Sequence, residues 1–221
     1  IYHKLHNIYS DSNTYEPNTE ANYRANRKLN EITELLDDHQ NKYDNENAIY
    51  LDIGTEDPYF PSVISKLFNI NTIKCINISN WESSYDTNKP NITLYDGKNI
   101  PLEDNTVSVI TIMMVLHHVQ TDILHELIHN IYRVLKKNGI VIINEHDCDT
   151  EIMGTYLDHI HRYYDAILQK NFNWIEKYET NYMSKEFLHD LFVSNNFKLF
   201  KYKETQQNNP SKPYYMVFIK E

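Results

Sequence analysis

Glycine is nearly missing. The 221 residues hold four, at positions 54, 97, 139 and 154. With so few, no G-x-G-x-x-G run and no P-loop is present, which excludes the two common phosphate-cradling loops. A serine nucleophile elbow and C-x-x-C metal pairs are absent as well. Cysteine is limited to Cys75 and Cys148, too few for a disulfide framework, so a reducing, cytoplasmic setting is expected. No apolar run approaches the roughly 18 residues of a membrane helix, and no signal-peptide pattern is found. Without such a signal, the sequons at Asn77 and Asn91 carry no weight. Positive charge is also short. The net charge is -10, which argues against non-specific attraction to nucleic-acid backbone or anionic lipid, although a local basic groove stays open. Arginine occurs only four times, while Asn, Ile, Lys and Tyr crowd the chain. That bias fits an A/T-rich genome, as in some large DNA viruses, protists or low-GC bacteria. The first residue is Ile1 rather than Met, which fits either a trimmed chain or one domain of a longer polypeptide.

What is present is globular. Hydrophobic residues make up 41% and charged residues 24%, and the length suits one domain with a full core. Residues 1–47 read as an N-terminal arm followed by a helix over Ala21–His39, where Leu29, Ile32, Leu35 and Leu36 recur at spacings of three and four. The arm reads as a loosely packed polar segment or, in an enzyme, together with the helix, as a substrate lid. Residues 48–221 read as alternating strands and helices. Strands are expected at Ile49–Ile53, Ile73–Ile78, Ile92–Tyr95, Val107–Val115 and Gly139–Asn144. Helices are expected at Pro61–Phe68, Asp122–Leu135, Ile152–Gln169 and Ser184–Ser194. Two last strands, Phe197–Thr205 and Tyr214–Ile219, are close in sequence and should pair antiparallel. Apolar strands alternating with amphipathic helices predict an α/β fold, a mostly parallel sheet with helices on both faces.

Three of the four glycines fall at landmarks. AIYLDIGTEDPYF (Ala48–Phe60) is a buried strand, an acidic residue, a glycine and the start of a helix, the place where a nucleotide-like ligand docks on such a sheet. YDGKNIPLEDNTVSVITIMMVLHHV (Tyr95–Val119) contains an acidic turn, a strand and a histidine pair. YRVLKKNGIVIINEHD (Tyr132–Asp147) is a helix end, a turn and a strand. In this order the three stretches resemble the class I S-adenosylmethionine (SAM) methyltransferases of the LHHV-motif, type 11-like group. The resemblance implies a Rossmann-like seven-stranded sheet with an antiparallel last strand, and SAM as cofactor. It implies cofactor contacts from Asp52, Gly54, Thr55, Glu56, Asn77, Asp96, Gly97 and Met113, with Asp96 beside the adenine amino group.

The match is incomplete. The second and third glycines of the first motif are replaced by Glu56 and Pro58. Glu56 would aim a carboxylate near the cofactor's own carboxylate, or meet its ammonium, and Pro58 removes an N–H and fixes φ. Asn77 stands where an acidic residue usually binds both ribose hydroxyls, Ser108 where the family has Asp, and Asn138-Gly139 where it has two glycines. A methyltransferase-like module that binds or regulates without catalysis is therefore the alternative.

The segment Met113–His118 is expected to line the methyl-transfer site. His117, His118, Glu145, His146 and Asp147 sit at the C-terminal edge of the sheet and are the candidates for taking a proton from an attacking oxygen or nitrogen. His159 and His161 follow on the next helix, with Tyr163 and Tyr164 as added aromatic surface, and His159 could face the site. His125-Glu126-Leu127-Ile128-His129 matches the zinc-protease pattern HExxH. Its helix lies away from the strand ends and its apolar stripe is Leu124, Leu127, Ile128 and Ile131, so no metal is expected there or elsewhere. Lys136 and Lys137 are expected to complement a helix C-terminus. The acceptor would be a small molecule or an RNA end of the cap type, and no membrane partner is expected.

Overall fold

A computed structural model of the chain describes residues 17–36, 43, 47–55, 59–78, 92–168, 180–205 and 208–221. Seven strands form one sheet. In chain order the elements are α1 (Pro17–Leu35), β1 (Ile49–Ile53), α2 (Tyr59–Leu67), β2 (Thr72–Ile78), β3 (Ile92–Tyr95), β4 (Val107–Met113), a single 3-10 turn (Leu116–His118), α3 (Thr121–Val134), β5 (Leu135–His146), α4 (Glu151–Leu168), α5 (Lys185–Ser194), β6 (Phe197–Glu204) and β7 (Pro213–Lys220). The strand order is β3-β2-β1-β4-β5-β7-β6. β1 to β5 run parallel, and β7 pairs antiparallel with both β5 and β6. This is the Rossmann-like sheet of the class I methyltransferase fold.

The sheet buries both faces, because its central strands are apolar at nearly every position. On one face Leu51, Ile53, Ile110, Ile112, Val141 and Ile143 pack against Leu124, Leu127, Ile128 and Ile131 of α3, and against Leu188 and Phe192 of α5. Phe192 stacks on Phe218 at 4.5 Å. On the other face Tyr50, Val109, Ile142 and Val217 pack against Ile32 of α1 with the following Leu36, and Ile64 of α2 with the following Phe68. Each fully buried aliphatic or aromatic side chain contributes about 1.5–3 kcal/mol. Within the described residues, α1 is thus part of the same core as the sheet. Arm residues 1–16 lie outside the described residues.

Several boundaries differ from the sequence expectation, three of them for a local backbone reason. β4 ends at Met113, because Met114 turns to φ 63° and leaves the ladder. β5 starts at Leu135 rather than Gly139. Leu135 pairs with Val107 and Ile140 with Val109, so Lys136–Gly139 bulge out of register, with Asn138 left-handed at φ 62°. Gly139 is required there, since a Cβ would fall 2.9 Å from both the Leu135 side chain and the Lys136 carbonyl. α2 begins two residues earlier, at Tyr59, because the turn before Pro61 already has helical shape.

The cation that completes the end of α3 is also not the expected one. The Lys136 ammonium donates to the Asn47 carbonyl instead. Lys220, at the end of β7, donates to the Tyr132 carbonyl at 2.7 Å, the Leu135 carbonyl at 2.8 Å and Asn105 Oδ1 at 2.8 Å, with its ammonium over the Tyr132 ring.

Candidate functional site: a histidine cluster beside the first glycine turn

The strand ends of β1, β2 and β4 meet at a loop that the sequence builds from one glycine and several hydroxyls. Gly54 adopts φ 79°, and a Cβ on it would run into the Val115 side chain. Its N–H and that of Thr55 both donate to the Ile76 carbonyl. Asp52 points into the sheet. Its Oδ1 accepts from Thr111 Oγ1 at 2.5 Å and its Oδ2 from Thr55 Oγ1 at 2.6 Å, while Tyr50 Oη lies 2.6 Å from Thr111 Oγ1. Asn77 Nδ2 donates to the Thr55 carbonyl, and its Oδ1 accepts from the Ile78 N–H. Asp52 and Asn77 therefore act on the loop rather than on open space. At the end of β3, Asp96 is exposed, and its carboxylate accepts from the Lys98 and Asn99 N–H groups and the Asn99 amide, which hold its pKa below the usual value. Gly97 follows at φ 84°, a conformation open to glycine.

Burial of the Asp52 carboxyl pushes its pKa up to about 6. A raised acid favours the folded state below its unfolded pKa near 4 and loses that contribution as pH rises through about 6. Asp52→Asn keeps a partner for each hydroxyl. It is expected to gain stability over the parent, by about 2–3 kcal/mol at pH 8 and about half of that at pH 5. Denaturant titrations of both proteins at the two pH values check this, and an equal difference at both would refute it.

The other half of the edge is richer in titratable groups. Glu145, buried at the end of β5, accepts from the Val115 N–H at 2.9 Å and the Leu116 N–H at 2.7 Å through Oε1. Its Oε2 lies 2.6 Å from His117 Nδ1. His117 is 1% exposed, and its Nε2 has no hydrogen-bond partner among the described residues. Around it stand His118 (ring centroids 4.0 Å apart), His161 (4.8 Å), His146 (5.9 Å) and Tyr182, stacked at 5.2 Å. Burial holds the pKa of all four histidines below the usual value, and repulsion from neighbouring histidines adds to this at His117, His118 and His146, so they are neutral. Burial pushes the Glu145 carboxyl up, and the nearby histidines and the two N–H donors pull it back.

A neutral imidazole carries one proton, and the hydrogen bonds decide where it sits. In His117 it is on Nδ1, toward the carboxylate. In His146 the Nδ1 lies 2.8 Å from the Ser211 carbonyl, and in His161 it lies 2.9 Å from the Leu157 carbonyl and 2.8 Å from Tyr182 Oη. All three rings thus turn an Nε2 lone pair away from these acceptors. The segment bearing Tyr182 is fastened to the cluster, since the Asn181 N–H donates to the His117 carbonyl and its amide to Val119 and Thr121.

The family model described as "Methyltransferase domain" matches residues 20–202, well over half of the chain. The chain belongs to this family, the class I SAM-dependent methyltransferases. Solved structures agree on the fold. A geranyl diphosphate methyltransferase in complex with SAM has a TM-score of 0.64 at 10% identity, over 95% of this chain and 93% of that one. A SAM-dependent methyltransferase from Archaeoglobus fulgidus gives 0.59 at 13%, over 89% and 94%. A SAM-dependent methyltransferase from Thermotoga maritima, described as a possible histamine N-methyltransferase, gives 0.55 at 17%, over 78% and 82%. No curated protein matches the sequence significantly. SAM is accordingly the cofactor of this methyltransferase.

The methyltransferase brings His117, His118, Glu145 and His146 together and sets Asp147 apart. Asp147 Oδ1 accepts from the Lys185 N–H at the start of α5 and its Oδ2 pairs with the Lys185 ammonium, so it anchors a helix. Met113, half-buried, lies on the opposite sheet face with Tyr50 and Val109. Glu56 and Pro58 lie outside the described residues. On α4 it is His161, not His159, that joins the cluster: His161 follows buried Leu157 by one turn, whereas His159 is exposed on the far side. Tyr163 is half-buried. His125, Glu126 and His129 are exposed on α3, and Glu126 pairs with Lys98, so the HExxH match is a solvated helix face.

Proposed function

We propose that this methyltransferase acts on a small molecule whose nucleophilic oxygen or nitrogen is held against the His117–His118–His161 cluster. The observation that carries this reading is the buried Glu145–His117 pair, which leaves an imidazole lone pair at the strand edge beside the Gly54 turn. The residues of the β1–β3 half are compatible with the cofactor: a left-handed glycine turn at Gly54 where the strands end, and an exposed carboxylate at Asp96. Gly54, Thr55, Asp96 and Gly97 would hold it. Bound SAM supplies an electrophilic methyl group. The chain's own residues orient the acceptor, and the neutral rings accept a hydrogen bond from its O–H or N–H, which directs a lone pair toward the methyl group. Tyr182, stacked on His117, and the 3-10 turn close one side of the cluster.

An RNA end, the other acceptor open from the sequence, needs cations along its path. Lys98, Lys185 and Lys212 at this end of the sheet each face a carboxylate, on Glu126, on Asp147 and Glu204, and on Asp149. Net charge works in the same direction. The non-catalytic alternative draws support from Asn77, whose amide is spent on the loop.

Calorimetric titration with SAM and S-adenosylhomocysteine, followed by labelled methyl transfer to small-molecule pools and to capped RNA, tests the reading. Binding with label in small molecules supports it; binding without transfer to any acceptor favours the non-catalytic module. Asp96→Ala is expected to weaken SAM binding about tenfold or more, through loss of a charge-assisted hydrogen bond and of the turn it closes. Asp96→Asn, which keeps an acceptor for the turn, separates the two contributions. Unchanged affinity in the alanine variant would remove Asp96 from the site.

A further inference from the structure

We infer that His117, His118 and His161 form a binding site for a divalent transition-metal ion of the zinc class, on the acceptor side of the methyl-transfer cleft. One ligand atom from each lies within 4.8 Å of the other two. Nitrogens at zinc distance in a tetrahedral site are about 3.3 Å apart, so small side-chain rotations close the set. Three neutral imidazoles with an open fourth position are the donor set that zinc uses at catalytic sites, and imidazole also suits copper, nickel and iron.

Two independent features point to an ion. First, His117 Nε2 is a polar atom in a fully buried ring, facing the cluster with no hydrogen-bond partner among the described residues. A lone pair so placed costs about 1–3 kcal/mol unless something receives it. Second, the outer hydrogen bonds are those of ligating histidines. His117 Nδ1 is on a carboxylate that is itself fixed by two N–H groups, and His161 Nδ1 is on a helix carbonyl and a tyrosine hydroxyl. Such partners fix the tautomer and aim Nε2 at the ion. His146, with its own Nδ1 on the Ser211 carbonyl, stands 5.5 Å from His161 by ring centroids, next to the set. The expected absence of metal rested on the HExxH helix, which is elsewhere on the surface. With the ion bound, the three lone pairs go to the metal, and the acceptor's oxygen, or water, would take the fourth position in place of a hydrogen bond to the rings; only this placement beside an acceptor rests on the methyl-transfer reading.

The full chain, stripped with a chelator and titrated with Co(II), is expected to bind one equivalent and to show the intense visible absorption of tetrahedral cobalt. Zinc should displace it, and elemental analysis of the unstripped protein should return about one metal per chain. His161→Gln and His118→Gln, both at half-buried positions, are expected to weaken cobalt binding at least tenfold while leaving the far-ultraviolet spectrum and SAM titration unchanged. The His125→Ala/His129→Ala double variant should bind cobalt as the parent does. Absent binding, octahedral weak absorption alone, or loss of binding only in the double variant would overturn the proposal. SAM titration reads the methyltransferase reading separately, since it requires no metal.

Discussion

A Glu145→Gln enzyme is expected to fold as its parent does and to lose roughly a hundredfold or more in turnover. The substitution preserves shape. Gln Oε1 can still accept from the Val115 and Leu116 N–H groups, so the turn that carries the two histidines stays in place. What changes is the group opposite His117 Nδ1. A carboxylate oxygen accepts a proton bond, whereas the amide NH2 donates one. The ring must then present its lone pair on Nδ1 and carry its proton on Nε2, the atom that faces the cluster. The acceptor, or an ion, meets an N–H where it needs a lone pair. If Nε2 ligates a metal, affinity should fall about 10–100-fold as well. Steady-state kinetics with an identified acceptor, beside a SAM titration, distinguish this from a general defect: turnover falls while cofactor affinity holds. Full activity in the glutamine variant would show that the His117 tautomer has no part in the reaction. Glu145→Ala is a poorer test, because it leaves the two N–H groups and His117 buried without an acceptor.

Lys220→Met should lower stability by about 2–4 kcal/mol, despite lying one residue from the end of the chain. The lysine is 8% exposed. Its three hydrogen bonds take up the Tyr132 carbonyl in the last turn of α3, the Leu135 carbonyl at the start of β5 and the Asn105 side chain, and tie the start of β5 to the end of β7. Methionine fills the same volume but leaves those carbonyls buried and unpaired, which costs more than the bonds were worth in net terms. Cations at helix C-termini are usually exposed and contribute under about 1 kcal/mol; burial makes this one larger. Lys198→Met, which breaks an exposed pair with Glu221, should change stability by less than about 0.5 kcal/mol. Equal midpoints in urea for the parent and the Lys220 variant would contradict this account.

The fold was legible in the chain because its two periods are strong. Continuous apolar strands and three-four helical stripes gave the element order, and the closeness of β6 and β7 gave the antiparallel pair. Boundaries blurred where a single backbone conformation decides, at Met114 and at the Lys136–Gly139 bulge. Half of the candidate site was legible too: His117 and His118 follow β4, and Glu145 and His146 close β5, the neighbouring strand, at the same edge. Tyr182 and Asn181 were not, since they come from a segment some sixty residues away and carry no local pattern. His161 could have been found from its spacing of four from Leu157 and eight from Met153, both buried, whereas His159 breaks that stripe. Lys220 was hidden because nothing in sequence links the penultimate residue to α3.

The outermost strands of the sheet have a colloidal consequence. β3 offers only four residues, too short a template for another chain. β6, at the other end, reads FKLFKYKE, with Lys198, Lys201 and Lys203 along it. An incoming strand would have to strip water from these ammonium groups and break the pairs that Lys198 and Lys203 make with Glu221 and Glu34. A chain so rich in isoleucine, tyrosine and asparagine carries ample material for stacking into fibrils. In the folded state both open ends of its ladder are guarded, one by brevity and the other by charge.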